Sequence, residues 1–231
     1  MAKNKKQTVV KKSPLSKELL KGLPPSAPPP TPLPITTEPS NSTLPKEIET
    51  FWELYYDRIG RRREDREKEE GRAIWNMFSG LDEYMVFTDL GCGTGGLLQY
   101  LEVLGATVRG VDFLPSIEKN KLVDNIEIRD IRDSKSYQHQ EIVICFDILD
   151  YLSEIDILKV LKKLKEDDSK FIVFSPADSF YKVTVTSKNR EQWIELFGLA
   201  GFFFNTILSN EFDSKVETDR RYYQVYSSRR Y

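Results

Sequence analysis

The sequence is poor in the residues that carry much of enzyme chemistry. Its 231 residues include one histidine, His139, and two cysteines, Cys92 and Cys145. One histidine argues against Ser-His-Asp catalysis and multi-histidine metal centres, and two cysteines are too few for a disulfide framework or a Cys-rich zinc site. We therefore expect no metal site, a surface position for His139, and two small, buried, unreactive cysteines.

Long hydrophobic runs are also missing. No window approaches 18 consecutive apolar residues, which excludes a transmembrane helix. The opening residues, MAKNKKQTVVKK, lack the apolar core of a secretory signal peptide. The sequence therefore predicts a soluble, cytoplasmic protein with no membrane partner.

Residues 1–46 contain no aromatic residue and no arginine, but they hold eight lysines, two acids and ten of the twelve prolines. This composition cannot bury enough apolar surface to fold, so we predict a disordered, basic, Pro-rich tail. Its charge is +6, and because the whole chain carries −2, residues 47–231 carry −8. The tail is either a solubilising segment or a contact for nucleic acid or an acidic partner.

The folded domain is expected to span residues 47–231 and to begin with a helical cover over residues 47–82. Apolar residues recur at helical spacing over residues 48–59, and a second apolar stripe follows over residues 74–81. The mixed charge run between them, residues 61–72, predicts a solvated helix face with i,i+4 ion pairs.

From residue 84 onward, short apolar runs alternate with helical stretches. This alternation is typical of an α/β fold with a seven-stranded, mostly parallel sheet and helices on both faces. The expected strands are Tyr84–Asp89, Thr107–Val111, Ile126–Arg129, Glu141–Phe146, Phe171–Ser175, Phe202–Leu208 and Tyr222–Ser227. The expected helices are Gly96–Leu104, Ser116–Lys121, Ser153–Leu164 and Arg190–Ala200, the last with Gly201 as a left-handed cap. The last two strands have no predicted helix between them, which suggests a hairpin and an antiparallel last strand.

Candidate binding residues gather where the first strand meets its helix. Residues 89–96, DLGCGTGG, form a Gly-rich turn that lets a ligand approach the backbone, and the following helix N-terminus favours negative charge. Asp112 ends the second strand, where an acid can accept both hydroxyls of a ribose. Asp130 ends the third strand, placed to accept from an adenine amino group. Together with Asp89, these acids outline an adenosine-shaped site at the sheet crevice.

The pattern Asp89-x-Gly91-x-Gly93-x-Gly95 resembles the signature of class I S-adenosylmethionine-dependent methyltransferases. Further segments are similar to family motifs in the same order: Val111-Asp112, Arg129-Asp130-Ile131, residues 145–151 and residues 190–202. In residues 145–151, CFDILDY, the family's common D-V-L-E-H segment appears with Asp150 for Glu and Tyr151 for His. The glycine pattern is specific by itself, and the ordered set is much stronger.

This resemblance implies a Rossmann-like fold, S-adenosylmethionine as the cofactor, and methyl transfer as the reaction. The sulfonium is already an activated methyl donor, so the protein need only align the acceptor and exclude water, without a metal or a covalent intermediate. The sequence indicates no catalytic residue. The residues expected to contact the cofactor are Asp89, Gly91, Cys92, Gly93, Gly95, Asp112, Phe113, Asp130, Ile131 and Phe146.

Two other interpretations use the same residues. Gly91-x-Gly93-x-x-Gly96 also satisfies the dinucleotide fingerprint of NAD-dependent enzymes. Against it stand Asp89, placed two positions before the first glycine as in methyltransferases, and a length that leaves no room for a dehydrogenase's substrate domain. Alternatively, the glycines only make a tight turn and Asp112 caps a helix, but this leaves the three strand-end acids unexplained.

The methyl acceptor is the least determined part. Residues 146–149, FDIL, do not match the Asn/Asp-Pro-Pro-aromatic motif of DNA and RNA amino-methyltransferases. Neither cysteine follows a proline, as cytosine C5 methylation requires, and no obvious lysine precedes the first strand, as in ribose 2′-O-methyltransferases. We expect a substrate cover built from helix 47–59 and residues 175–181. Its aromatic residues, which form either a wall or ordinary core, are Tyr55, Tyr56, Phe180 and Tyr181.

Three functions remain open at this point. The first is methyl transfer to an oxygen or nitrogen of a small molecule. In the second, the same domain acts on RNA, DNA or protein, guided by the basic tail and by four C-terminal arginines, Arg220, Arg221, Arg229 and Arg230. The third is a non-catalytic, methyltransferase-like binding or structural module.

Overall fold

The computed structural model describes residues 65–81, 85–133, 140–177, 184–216 and 222–229. The predicted tail, helix 47–59 and His139 lie outside the described residues. So do the four residues of the expected aromatic wall and three of the C-terminal arginines, Arg220, Arg221 and Arg230. Arg229 is described and is exposed.

A seven-stranded sheet with the order β3-β2-β1-β4-β5-β7-β6 forms the centre of the fold. The strands are β1 Val86–Leu90, β2 Thr107–Asp112, β3 Ile126–Ile128, β4 Ile142–Phe146, β5 Phe171–Ser175, β6 Phe203–Phe204 and β7 Gln224–Ser227. Strands β1 to β5 pair in parallel, and β7 pairs antiparallel with both β5 and β6. The predicted mostly parallel sheet with an antiparallel last strand is confirmed.

Helices cover both faces of the sheet, as predicted. They are α1 (residues 65–78), α2 Gly96–Val103, α3 Glu154–Glu166, α4 Arg190–Leu199 and α5 Thr206–Asp213. Helices α1, α2 and α5 contribute to one hydrophobic core, and α3 and α4 contribute to the other. β4 is buried on both sides: Ile142 and Ile144 belong to the first core, Val143 and Cys145 to the second. Such a doubly covered strand has a continuous apolar sequence rather than an alternating one.

The predicted C-terminal hairpin is wrong. The expected strand Phe202–Leu208 is reduced to β6, and α5 lies between β6 and β7. Asn205 explains the change, because its side chain accepts the Leu208 N–H at 3.0 Å and thereby caps a new helix. β7 then inserts between β5 and β6 rather than adding at the edge.

Of two further helix predictions, one is corrected and one is confirmed. The helix expected at Ser116–Lys121 is a 3-10 helix over Pro115–Lys119. Helix α4 begins with a capping box between Asn189 and Gln192 and is followed by Gly201 at φ 87°, so the predicted left-handed cap is confirmed.

β1, β2 and β3 follow one another toward one edge of the sheet, and the chain then returns to place β4 on the other side of β1. The switch point therefore lies between β1 and β4. In such sheets, ligands bind in the crevice outside the carboxyl ends of the strands at this switch point. Helix α1 runs along one face of the sheet, from the carboxyl ends of the parallel strands to their amino ends. Glu67, in its first turn as described, lies against Gly96 at the start of α2, whereas Phe78 packs on Phe171 at the start of β5, with ring centroids 5.2 Å apart.

Candidate functional site

The glycine turn joins β1 to α2 at this crevice. Gly91, Gly93 and Gly95 all adopt left-handed φ values, 76°, 56° and 85°. Gly91 N–H donates to the carbonyl of Val111 at 2.8 Å, which extends the β1–β2 pairing into the turn. Because residues with a side chain rarely adopt these φ values, the turn needs glycine at all three positions.

Packing within the protein adds to this requirement. A Cβ on Gly91 would lie 2.8 Å from the side chain of Ile148, and one on Gly95 would lie 2.9 Å from Ile126. At Gly96 it would overlap the carboxylate of Glu67. The tight-turn interpretation therefore accounts for these glycines without any ligand, and the case for a ligand site rests on the acids around the turn.

Asp112 connects the end of β2 to the glycine turn. Its carboxylate is buried, with the residue 4% exposed, and Oδ2 accepts the Gly93 N–H at 2.8 Å. Oδ1 accepts the Leu114 N–H at 3.0 Å. Asp112 is therefore a brace between the strand end and the turn rather than a cap: the 3-10 helix that follows has Leu114 at its N-cap and no side-chain cap.

Asp89 and the two cysteines lie beside this turn. Asp89 is buried in β1, opposite Gly110 of β2. A Cβ on Gly110 would lie only 2.6 Å from the Sγ of Cys92, so this position has no room for a side chain. The Cys92 thiol donates to the carbonyl of Gly93 at 3.4 Å. Burial, and then the charge of Asp89, raises the pKa of the Cys145 thiol well above its ordinary value. Both cysteines are buried free thiols, as expected.

Asp130 follows β3 and forms an ion pair. Arg132 Nη2 donates to its Oδ2 at 2.6 Å, and the Arg132 backbone N–H donates to Oδ1 at 2.8 Å. The hydrogen bond to Asp130 raises the pKa of the Arg132 guanidinium. An adenine amino group would therefore share this carboxylate with Arg132, a partner that the sequence analysis did not foresee. The neighbouring Ile131 is buried, 5% exposed.

The two predicted aromatic contacts are half-buried. Phe113 follows β2 and packs against the first core. Phe146, the last residue of β4, packs edge-on against Tyr223, with ring centroids 5.4 Å apart, and against Phe212 at 6.4 Å. The structure thus brings the predicted residues to the carboxyl ends of β1, β2, β3 and β4, along one side of the sheet.

A polar cluster that the sequence analysis missed lies at the same edge. Glu70 of α1 is 2% exposed, and its Oε1 accepts the Tyr223 hydroxyl at 2.8 Å. Arg66 lies 3.6 Å from Glu70 and 3.9 Å from Asp147, which follows β4 with a left-handed φ of 55°. The prediction of a solvated charge run is therefore wrong for Glu70. No local pattern marks its burial, because the tyrosine that it bonds is 153 residues away.

Tyr223→Phe is expected to lower the free energy of unfolding by about 1.5–3 kcal/mol, because it removes a hydrogen bond to a buried carboxylate. Tyr226→Phe is the matched control: Tyr226 is equally buried, but its hydroxyl donates to the neutral Gln224 side chain at 2.9 Å. Its loss is expected to cost about 0.5–1.5 kcal/mol. Urea unfolding of both variants measures the difference, and an equal cost for the two would contradict a stronger hydrogen bond from Tyr223 to Glu70.

Asp150 is a second buried acid at this edge. Burial raises the pKa of its carboxyl from 3.8 to about 7, against the opposing effect of a hydrogen bond from the Ala177 N–H. The native carboxyl therefore keeps its proton to higher pH than the unfolded one. Consequently, the free energy of unfolding falls as pH rises from about 4 to about 7.

Asp150→Asn is expected to remove this dependence. Between pH 8 and pH 5 the wild type should gain about 3 kcal/mol of stability relative to the variant, because the two pH units below the native pKa contribute about 1.4 kcal/mol each. Urea unfolding of both proteins at the two pH values tests the prediction. The same pH dependence in both would show that another group titrates.

Neither a metal centre nor a membrane span is found in the described part of the chain. Within it, no three His, Cys, Asp or Glu side chains form a group that could hold a metal ion. None of the helices described has the length and apolar character needed to cross a membrane.

No family model and no curated protein sequence matches the chain. Its structure, however, matches many solved ones, and several of these are methyltransferases. The chain has the class I methyltransferase fold.

Three of these structures give the extent of the likeness. Magnesium protoporphyrin IX methyltransferase from Synechocystis, with bound S-adenosylmethionine, is 16% identical, with a TM-score of 0.59 over 82% of this chain and 100% of its own. A sugar N-methyltransferase from Streptoalloteichus is 14% identical, with a TM-score of 0.59 over 87% and 99%. An S-adenosylmethionine-dependent methyltransferase from Clostridium acetobutylicum is 15% identical, with a TM-score of 0.57 over 78% and 98%. At such identities, what this chain shares with them is the methyltransferase fold.

Proposed function

We propose that the protein is an S-adenosylmethionine-dependent methyltransferase that acts on an oxygen or nitrogen of a small molecule. The observation that carries this proposal is the buried Asp112 carboxylate bonded to Gly93 N–H. It supports the proposal because a carboxylate that could accept the ribose hydroxyls lies beside a glycine of the turn, at the switch point of a methyltransferase fold.

The residues present fit the cofactor. Asp112 would hold the ribose hydroxyls, Asp130 and Ile131 would bound the adenine, and the turn 91–95 would lie along the methionine half. When bound, S-adenosylmethionine supplies a methyl group already activated on its sulfonium. The protein's own contribution is to orient the two reactants and to exclude water, and α1 supports it by covering the start of α2.

The small-molecule acceptor is supported by two structural neighbours, whose names give a porphyrin and a sugar as what they act on. The basic tail supports the alternative, a nucleic-acid or protein substrate. Deleting residues 1–46 separates the two, because a salt-dependent shift of RNA or DNA on a gel should then disappear if the tail guides the domain. With either acceptor we place the protein in the cytoplasm.

Thermal melting of the full chain with S-adenosylhomocysteine or with NAD⁺ tests the cofactor. At a ligand concentration 100 times its Kd, the expected stabilisation is about 2.7 kcal/mol, or several degrees in Tm. We expect it with S-adenosylhomocysteine and not with NAD⁺. Stabilisation by NAD⁺ alone would favour the dinucleotide interpretation, and stabilisation by neither would favour a module that has lost cofactor binding.

A further inference from the structure

Asp150 attaches both ends of the connection between β5 and α4. It lies in a 3-10 turn, Leu149–Tyr151, and is 4% exposed. Its Oδ2 accepts the Ala177 N–H at 2.9 Å, two residues after β5. Its backbone carbonyl accepts the N–H groups of Val185 and Thr186, at 2.8 Å and 2.9 Å, just before α4.

Neighbouring hydrogen bonds also join the segment after β4 to the end of β5 and to the residues before α4. Asp147 N–H donates to the carbonyl of Ser175 at 3.1 Å, and the Thr186 hydroxyl donates to the carbonyl of Leu152 at 2.6 Å. Ile148, in the same segment after β4, fills the space beside Gly91 of the glycine turn. A continuous set of contacts therefore runs from the glycine turn, through the segment after β4, to the segment after β5.

The order of the strands shows where these contacts lie relative to the proposed cofactor site. The ribose and adenine acids follow β2 and β3, on one side of β1, and β4 and β5 lie on the other side. If the cofactor's adenosine lies over β2 and β3, its reactive end points toward β4 and β5, where the acceptor must enter. The segments that Asp150 joins are therefore on the acceptor side.

We propose that Asp150 is a positioning residue for the methyl acceptor, because its carboxylate holds Ala177, two residues after β5. This inference rests on the proposed function. The Ala177 bond is the adjustable part, since it is the one that uses the side chain of Asp150. The two bonds to its backbone carbonyl stay in place whatever the charge.

The charge of Asp150 makes this attachment depend on pH. With its pKa raised to about 7, the carboxyl is neutral below that pH and charged above it. A charged oxygen is the stronger acceptor, so the bond from Ala177 tightens as pH rises. Tyr222, just before β7, is the titratable group that interacts with Asp150, and Arg190 and Glu191 of α4 interact in turn with Tyr222. Tyr222 stays neutral in this range, because burial, and then Asp150, raises its pKa to about 12, and Arg190 lies 5.5 Å from its ring.

The Ala177 amide reports directly on this bond. In the full chain, its NMR chemical shift should titrate between pH 5 and pH 9 with a midpoint near 7, and Asp150→Asn should abolish the titration. Asp156→Asn is the matched control, because Asp156 is also buried but bonds Ser153 and Lys159 on α3. An Ala177 titration that survives in Asp150→Asn would overturn the proposal.

A functional readout separates positioning from plain stability. The transfer of labelled methyl from S-adenosylmethionine to the small-molecule fraction of a cell extract should rise through pH 7 in the wild type. In Asp150→Asn it should lose that rise and fall about tenfold, while stabilisation by S-adenosylhomocysteine stays unchanged. The wild-type pH profile in the variant would overturn the acceptor role. If S-adenosylhomocysteine does not stabilise the wild type, the proposed function fails, and the acceptor role with it, whether or not Ala177 titrates.

Discussion

Gly93→Val is expected to lose all stabilisation by S-adenosylhomocysteine. Gly93 has a φ of 56°, and its N–H donates to Asp112, within the turn along which the methionine half of the cofactor is proposed to lie. A valine there would occupy the space of the cofactor, and a β-branched residue resists this backbone conformation. Without ligand, the free energy of unfolding should fall by about 1–2 kcal/mol from the strain alone.

Gly105→Val provides the matched control for this strain. Gly105 also has a left-handed φ, 96°, but it lies in the turn between α2 and β2, where a Cβ would meet no described residue within 4 Å other than its chain neighbours. Its Tm should fall by a similar few degrees while S-adenosylhomocysteine still stabilises the protein. Thermal melts of both variants with and without ligand make the comparison. A Gly93→Val protein stabilised as strongly as the wild type would show that the cofactor does not lie against this turn.

Asp112→Ala is expected to weaken binding of S-adenosylhomocysteine by about 2–4 kcal/mol, or about 30- to 700-fold, because it removes charge-assisted hydrogen bonds to the ribose. The structure adds a second effect. The variant leaves the N–H groups of Gly93 and Leu114 without their acceptor, at a cost of about 1–3 kcal/mol each in the free energy of unfolding. Asp112→Asn keeps one acceptor oxygen, so its affinity and its stability should lie between those of the wild type and of Asp112→Ala.

Calorimetry well below the Tm of the variant measures the affinity of the folded protein, and urea unfolding measures the stability. Asp124→Ala, an exposed acid between β2 and β3, is the control and should change neither quantity. An unchanged affinity in folded Asp112→Ala would remove Asp112 from the ribose site. It would leave the residue as a brace for the glycine turn.

The local parts of this fold are the parts that the sequence predicts well. The continuous apolar run of β4, the glycines of the turn after β1 and Gly201 after α4 each carry their own cause in a few neighbouring residues. The C-terminal end differs. Residues 202–208 are apolar enough for a strand, and the cap formed by Asn205 decides for a helix instead.

In the candidate site, too, the local features could be predicted from the sequence and the long-range contacts could not. By itself, the sequence determined which residues stand at the ends of β1, β2 and β3, because the strand-helix alternation and the glycine spacing are local patterns. Only the tertiary structure decided what the buried acids bond: Asp112 accepts from Gly93, Glu70 from Tyr223, and Asp150 from Ala177. The physical reason is that a buried carboxylate needs partners. Here those partners come from segments far apart in the chain, and their meeting leaves no periodicity in the sequence.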